Sequence, residues 1–279
     1  REVGDESKHQ STYANFTLDA DIIKGMLTAK AVYGFNSESS NRAYYIPSTV
    51  YFNEMYRSRG EVGSMSRFDQ TVEGTLSFKH RFGDFLKIDA VAGFGFYFKH
   101  QETQSVYYEN TNDKIGNDKV ELAAGPFYPT TSKSGSQRRS QFIRANFDIL
   151  NRYVLSLAFR NDGSDKFFKG RKYAQFPSVS AAWKISNENF MKDIAWIDQL
   201  KLRASYGITG RDNLGSSLFG LYTANSVYVS FDGAQYIPFY QSSQDSPNVT
   251  WETTKMADVA LDFSFLDEKI RKQIIAANP

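Results

Sequence analysis

The sequence predicts an all-β fold, an antiparallel up-and-down meander of about nine long strands patterned like the wall of a membrane-crossing barrel. Three observations predict it. Apolar and polar residues alternate with period two along most of the chain, which sets one face of each strand against apolar surroundings and the other against polar ones. Short and longer connections follow one another in turn. Aromatic residues gather at both ends of the apolar stretches, with small aliphatic residues between them.

In the first strand Ala14, Phe16, Leu18 and Ala20 alternate with Asn15, Thr17 and Asp19; in the second Leu27, Ala29, Ala31, Tyr33 and Phe35 alternate with Thr28, Lys30, Gly34 and Asn36. Val72, Leu76 and Phe78 mark the third, and Leu86 through Phe98 the fourth, whose even positions are apolar. Ile143–Ile149, Leu155–Phe159, Val179–Ile185, Leu200–Ile208 and Val259–Phe265 supply the remaining five. Gly93 and Gly95 sit inside the fourth, where glycine permits close packing or bending. The one helical candidate is Ser186–Ile194, with Ser186 as its cap. Residues 271–279 follow a strand-and-turn pattern without continuing it.

The connections are short at 22–25, 81–85, 150–152 and 266–269, and longer at 38–67, 100–137, 161–172 and 210–249, with a turn of intermediate length at 187–197. Compact soluble domains seldom carry several long loops. Outer-membrane barrels do, with short turns at one end and long loops at the other. Tyr33, Phe35, Phe96, Phe98 and Tyr206 lie on apolar faces near the long-loop ends, and Phe147, Tyr153, Trp183, Phe263 and Phe265 near the short-turn ends. Two such girdles around an aliphatic band fit a wall facing lipid. The alternative is a soluble β-sandwich, or an adhesin-like binding module using its long loops for recognition, because alternation looks the same there strand by strand.

Composition narrows the field. The 279 residues include 23 Phe, 17 Tyr and 3 Trp, too much ring surface for a disordered chain. There is no Cys, hence neither a disulfide scaffold nor a thiolate metal site. A formal net charge of +2 shows no basic excess for nucleic acid.

Four segments resemble the SusC/RagA branch of the TonB-dependent outer-membrane transporters. Arg160-Asn161-Asp162-Gly163-Ser164-Asp165-Lys166-Phe167 resembles the R-x-D-G-S-S-x-F strand end. Phe176-Pro177-Ser178-Val179-Ser180-Ala181-Ala182-Trp183, followed by Ser186, Glu188 and Phe190, resembles F-P-S-x-S-x-x-W-x-x-S-x-E-x-F. Leu200 through Gly210 resembles L-K-L-R-x-S-Y-G-x-T-G, and Pro247 through Thr254 resembles P-N-L-x-W-E-x-T. The chain departs at Arg211-Asp212, where the pattern has Asn, and at Ala260, where it has Gly.

The resemblance implies a cell outer-membrane protein of Bacteroidota that imports oligosaccharides or peptides. It implies a SusD-like lipoprotein as partner, and the TonB complex acting only through a plug region that precedes the barrel and is not visible in residues 1–279. Such transporters close about 22 strands around a plug, so the chain is expected to be an open, internal part of a large barrel. The terminal strands of that part would expose unpaired edges.

Catalytic signals are poor, and neither an enzyme nor a cofactor is expected. His9, His80 and His100 lack metal-ligand spacing, and no nucleophile–base motif is present. Asn161–Asp165 reads as a turn in which Asp and Gly supply the backbone angles, rather than as a cation loop. Lys201 and Arg203 point to the polar face opposite Asp258 and Asp262 on the next strand, so these lumen-facing charges are expected to meet across the pair or to hold a plug. The rings Phe219, Tyr222, Tyr228, Phe231, Tyr236, Phe239 and Tyr240 on the 210–249 loop are candidate contacts for substrate or partner, or pack on one another.

Overall fold

A computed structural model describes residues 3–50, 57–194, 196–213, 218–224, 229–231, 234–265 and 270–278. Ten strands form one sheet in the order β1-β2-β3-β4-β5-β6-β7-β8-β13-β14. They are β1 (Gly4–Ile23), β2 (Leu27–Ile46), β3 (Arg59–Phe82), β4 (Leu86–Glu109), β5 (Phe127–Ile149), β6 (Tyr153–Ser164), β7 (Tyr173–Lys184), β8 (Ile197–Arg211), β13 (Glu252–Phe265) and β14 (Ile270–Asn278). Between β8 and β13 lie two small hairpins: β9 (Tyr222–Ala224) pairs with β12 (Phe239–Gln241), and β10 (Val229–Phe231) with β11 (Ala234–Tyr236). The sheet is an open meander in sequence order, as the alternation predicts, with β1 and β14 at its edges. The contacts fall into two compact units, one of residues 1–18, 32–73 and 96–137, the other of residues 19–31, 74–95 and 138–279.

Four expectations are corrected. The strands run well past the alternation, so the connections predicted at 38–67 and 100–137 shrink to 47–58 and 110–126. A strand with water on both sides keeps its ladder of hydrogen bonds but needs no apolar face, and polar runs such as Asn36–Arg42 therefore hide it. Asn161–Ser164 is strand, not turn: Asp162 pairs with Ser140 on one side and Ala174 on the other. Gly163 is needed there for space, since a Cβ on it would lie 2.5 Å from the Tyr173 ring. The helix over Ser186–Ile194 is replaced by two single-turn 3-10 helices, Ile185–Asn187 and Asn189–Met191, and Ser186 caps neither. Finally, Ile270–Asn278 is a tenth strand; the adjacent Ile274-Ile275 breaks the period-two signal that would have shown it.

The register of the second unit turns the alternation into rows that cross the sheet. Ile149, Tyr153, Trp183, Leu202 and Leu261 form one apolar row, and Ala145, Leu157, Val179, Tyr206 and Ala257 another. Between them on the opposite face runs the row Asn146, Ser156, Ser180, Ser205, Asp258. Nothing in the chain covers the apolar face among the described residues: Val259 is 52% exposed and Leu157 44%. Glycines admit rings on neighbouring strands. A Cβ on Gly74 would lie 2.6 Å from Phe94, and one on Gly93 would lie 2.7 Å from Phe142, which is the close packing expected of that glycine.

The β5–β6 hairpin turns on Leu150 (φ 55°) and Asn151 (φ 53°), and Arg152 N–H closes it on Ile149 O at 3.0 Å. Two positive φ values are the mark of a type I′ turn, whose twist matches that of the strands. A leucine held there costs about 1–2 kcal/mol. Leu150→Gly is therefore expected to raise the stability of the whole protein by about 1 kcal/mol, read as a higher midpoint in a heat-dependent gel-shift assay; an unchanged or lower midpoint would show that the leucine side chain compensates for the backbone.

Candidate functional site

In the second unit the polar face carries the charges singled out by sequence. Asp262 stands directly opposite Lys201, and Asp258 opposite Ser205. The bonds formed are different from the simplest expectation. Asp262 reaches diagonally to Arg203, whose Nε and Nη2 donate to it at 3.1 and 3.3 Å, and Asp258 accepts from Ser205 Oγ at 3.4 Å. Arg203 is flanked in its row by Ala182 and Ala260, so no bulky neighbour competes for the turn toward Asp262. A second pair joins Lys184 Nζ to Asp148 at 2.9 Å. Such half-exposed pairs are worth about 0–1 kcal/mol each and act mainly to cancel charge.

At the far ends of β6–β8 a small core holds the loops. Phe167, Phe176, Leu218 and Trp251 are buried together, with Phe168 and Ile208 against them. Trp251 stacks on Phe167 at 5.4 Å, meets Phe176 edge-on at 5.6 Å, and donates from Nε1 to Lys172 O at 3.0 Å. Beside it Asp212, 6% exposed, receives Arg138 Nη2 at 2.6 Å, with Lys166 Nζ at 3.8 Å. An asparagine in place of Asp212 could not cancel these two cations.

Of the loop rings, Phe219, Tyr222, Tyr236, Phe239 and Tyr240 are exposed. Phe219 also touches Phe168 at 4.5 Å. Tyr228 lies outside the described residues, as does the side chain of Phe231. Among the girdle residues, Tyr33, Phe96, Tyr153 and Tyr206 are exposed, while Phe35, Phe98, Phe147, Trp183, Phe263 and Phe265 are half-buried. They pack along the apolar face: Phe16 on Tyr33, Phe35 on Phe68, Tyr153 on Trp183 and Phe263 on Phe265.

Two devices escaped the sequence reading. In the first unit Asp113 pins the 47–58 and 110–126 connections, accepting from Tyr45 Oη at 2.7 Å, Ser48 N at 3.1 Å and Ser48 Oγ at 2.5 Å. Burial works against its charge, yet these hydrogen bonds hold its carboxyl below the ordinary value. No sequence signal distinguished Asp113 from its polar neighbours. In the second unit Glu188, between the two 3-10 turns, accepts from Trp183 Nε1 at 2.9 Å and Tyr153 Oη at 2.8 Å and faces Arg152 at 3.2 Å. The Trp183 and Tyr153 bonds, with Arg152 beside them, keep its carboxyl below the ordinary range. Glu188 stood in a quoted motif, which marked the residue but not its partners. Among the described residues no group of His, Cys, Asp and Glu could hold a metal.

Comparison with known proteins gives a consistent result. Residues 2–271 match the family model described as TonB dependent receptor-like, beta-barrel. The chain is 28% identical over 95% of its length to TonB-dependent receptor P3 of Formosa agariphila, covering 26% of that protein. It is 38% identical over 47% of its length to TonB-dependent receptor SusC of Bacteroides thetaiotaomicron, covering 13% of it. Its fold is similar to that in the structure of the RagAB peptide transporter, with a TM-score of 0.87 over 99% of this chain and 30% of that one, at 18% identity. The chain thus spans about a quarter or less of the length of these curated relatives.

Proposed function

Because this chain belongs to the TonB-dependent receptor-like β-barrel family, we propose that it is one sector of the wall of an outer-membrane nutrient importer. The apolar rows face lipid and the polar rows face the lumen. A region outside residues 1–279 fills the lumen and answers to the TonB complex, and a SusD-like lipoprotein meets the long-loop end. The substrate is an oligopeptide or oligosaccharide, and the protein carries out transport without catalysis. The exposed rings Tyr222, Tyr236, Phe239 and Tyr240 are the contacts offered to substrate or lipoprotein, since rings supply large contact area at small entropic cost.

One observation carries this reading: an apolar face as continuous as the rows through Leu157, Tyr206 and Val259 stays uncovered. In a soluble β-sandwich the same residues would meet a second sheet, and an exposed apolar patch of this extent needs lipid or a partner. The whole protein is expected to require detergent for extraction and to take up labelled oligopeptide or oligosaccharide only in cells with intact TonB. A monomer soluble without detergent, or uptake indifferent to TonB, would overturn the proposal.

A further inference from the structure

On the polar face of the second unit, β6, β7, β8 and β13 enclose a depression of about 540 Å³. Its floor is small: Ser180, Ala182, Ser205 and Ala260. Lys201 stands toward one end and Asp258 toward the other, and Arg203 rises between them from the row of Ala182 and Ala260, its guanidinium bonded to Asp262. Among the described residues the register leaves two of these charges without an opposite partner, the Lys201 cation and, at the other end, Asp258, which has only the Ser205 hydroxyl. Lys201 faces Lys184 on β7 and Asp262 on β13. Lys184 is drawn away to Asp148 at 2.9 Å, and Asp262 is drawn away to Arg203 at 3.1 Å. Among the described residues no carboxylate lies on the Lys201 ammonium, although a like charge stands directly across from it, an arrangement that destabilises a strand pair.

We infer that this depression is a carboxylate-binding subsite with Lys201 as its anchor. A single spare cation calls for a single negative charge. A dianion such as a phosphate would meet Asp258 at the other end with no second free cation to offset the repulsion. The small floor admits a group the size of an Asp or Glu side chain or a peptide C-terminus, and the hydroxyl of Ser180 offers a donor to it. The carboxylate comes either from the remainder of this polypeptide or from a solute in the lumen, and the chemistry at Lys201 is the same for both. The site itself is read from sheet geometry, while the two sources of the carboxylate rest on the proposed reading of the polar face as lumenal.

The test is zero-length carbodiimide coupling, which joins an amine to a carboxylate only when the two are in contact, followed by peptide mass spectrometry of the full-length protein in detergent. One sample holds the protein alone and another an added oligopeptide with a free C-terminus. Lys184 coupled to Asp148 serves as the internal standard. The expected result is a Lys201 adduct that is lost in Lys201→Arg, while the standard persists. An adduct to a carboxylate elsewhere in the polypeptide assigns the source to the chain itself. An adduct seen only with added peptide assigns it to a solute. Coupling of Lys201 to Asp258 or Asp262 would show that the ammonium is satisfied within the sheet, and would overturn the subsite. So would the absence of any adduct in both samples while an amine-reactive ester acylates Lys201 freely.

Discussion

Replacing Trp251 by alanine is expected to loosen the loop end of the second unit by about 3–5 kcal/mol, the usual cost of deleting a buried aromatic side chain. The ring is 9% exposed and touches both Phe167 and Phe176. Its indole N–H is also a partner of Lys172 O, which already receives Ser164 N–H. The damage should stay local, because β6, β7 and β8 keep their ladders with one another. Limited proteolysis of the whole protein should therefore show new cleavage at 165–172 and in the 218–246 segment, with little change in the barrel's melting. Trp251→Phe retains most of the packing and loses one hydrogen bond, so it should cost about 1 kcal/mol more than packing alone explains. Wild-type resistance to protease in Trp251→Ala would show that the loops are held by something other than this core.

The second large effect is expected at Glu188. Its replacement by alanine removes at once the acceptor of Trp183 and Tyr153 and the counter-charge of Arg152. Two ring donors and a guanidinium at the β7–β8 turn then compete for water at the edge of an apolar face. The turn lies outside the spanning strands, so its protonation is open to the aqueous phase. The folded state holds the Glu188 carboxyl below the ordinary 4.5. The unfolded state therefore binds the proton more readily, and the stabilisation is present above the ordinary value and lost as pH falls through the lowered one. Thermal midpoints of the wild type should fall on acidification through this window. Glu188→Gln, which keeps the shape and removes the charge, should start lower and show a shallower fall. Parallel acid profiles for the two proteins would place the pH dependence elsewhere.

These two sites also show what the sequence could and could not reveal. The alternation of Leu200, Leu202, Ala204 and Tyr206 against Lys201, Arg203 and Ser205 is a local property of the chain, and it located β8 and both its faces correctly. The charges on that strand were legible as a set. Their pairing was not, because a diagonal bond from Arg203 to Asp262 depends on alanines that flank it from two other strands. Phe167, Phe176 and Trp251 each stood in a quoted motif, yet they lie far apart in sequence and meet only after three strands are in register. Asp113 had no periodic neighbourhood at all, and its partners Tyr45 and Ser48 come from the distant end of β2 and the connection that follows it. Strand ends failed where the apolar signal stopped before the backbone pairing did, as at Asn36–Arg42.

The sheet order, which equals the sequence order, has a kinetic consequence. Each strand of the main sheet pairs only with its predecessor and its successor in that order. Pairing can therefore advance like a zipper, each new strand closing a short loop on a template already present. The one delayed step is β13 meeting β8 across residues 212–251. Loop-closure entropy grows only with the logarithm of length, so this excursion costs roughly 2 kcal/mol more than a tight hairpin. The chain can carry a long loop there and still assemble its wall strand by strand.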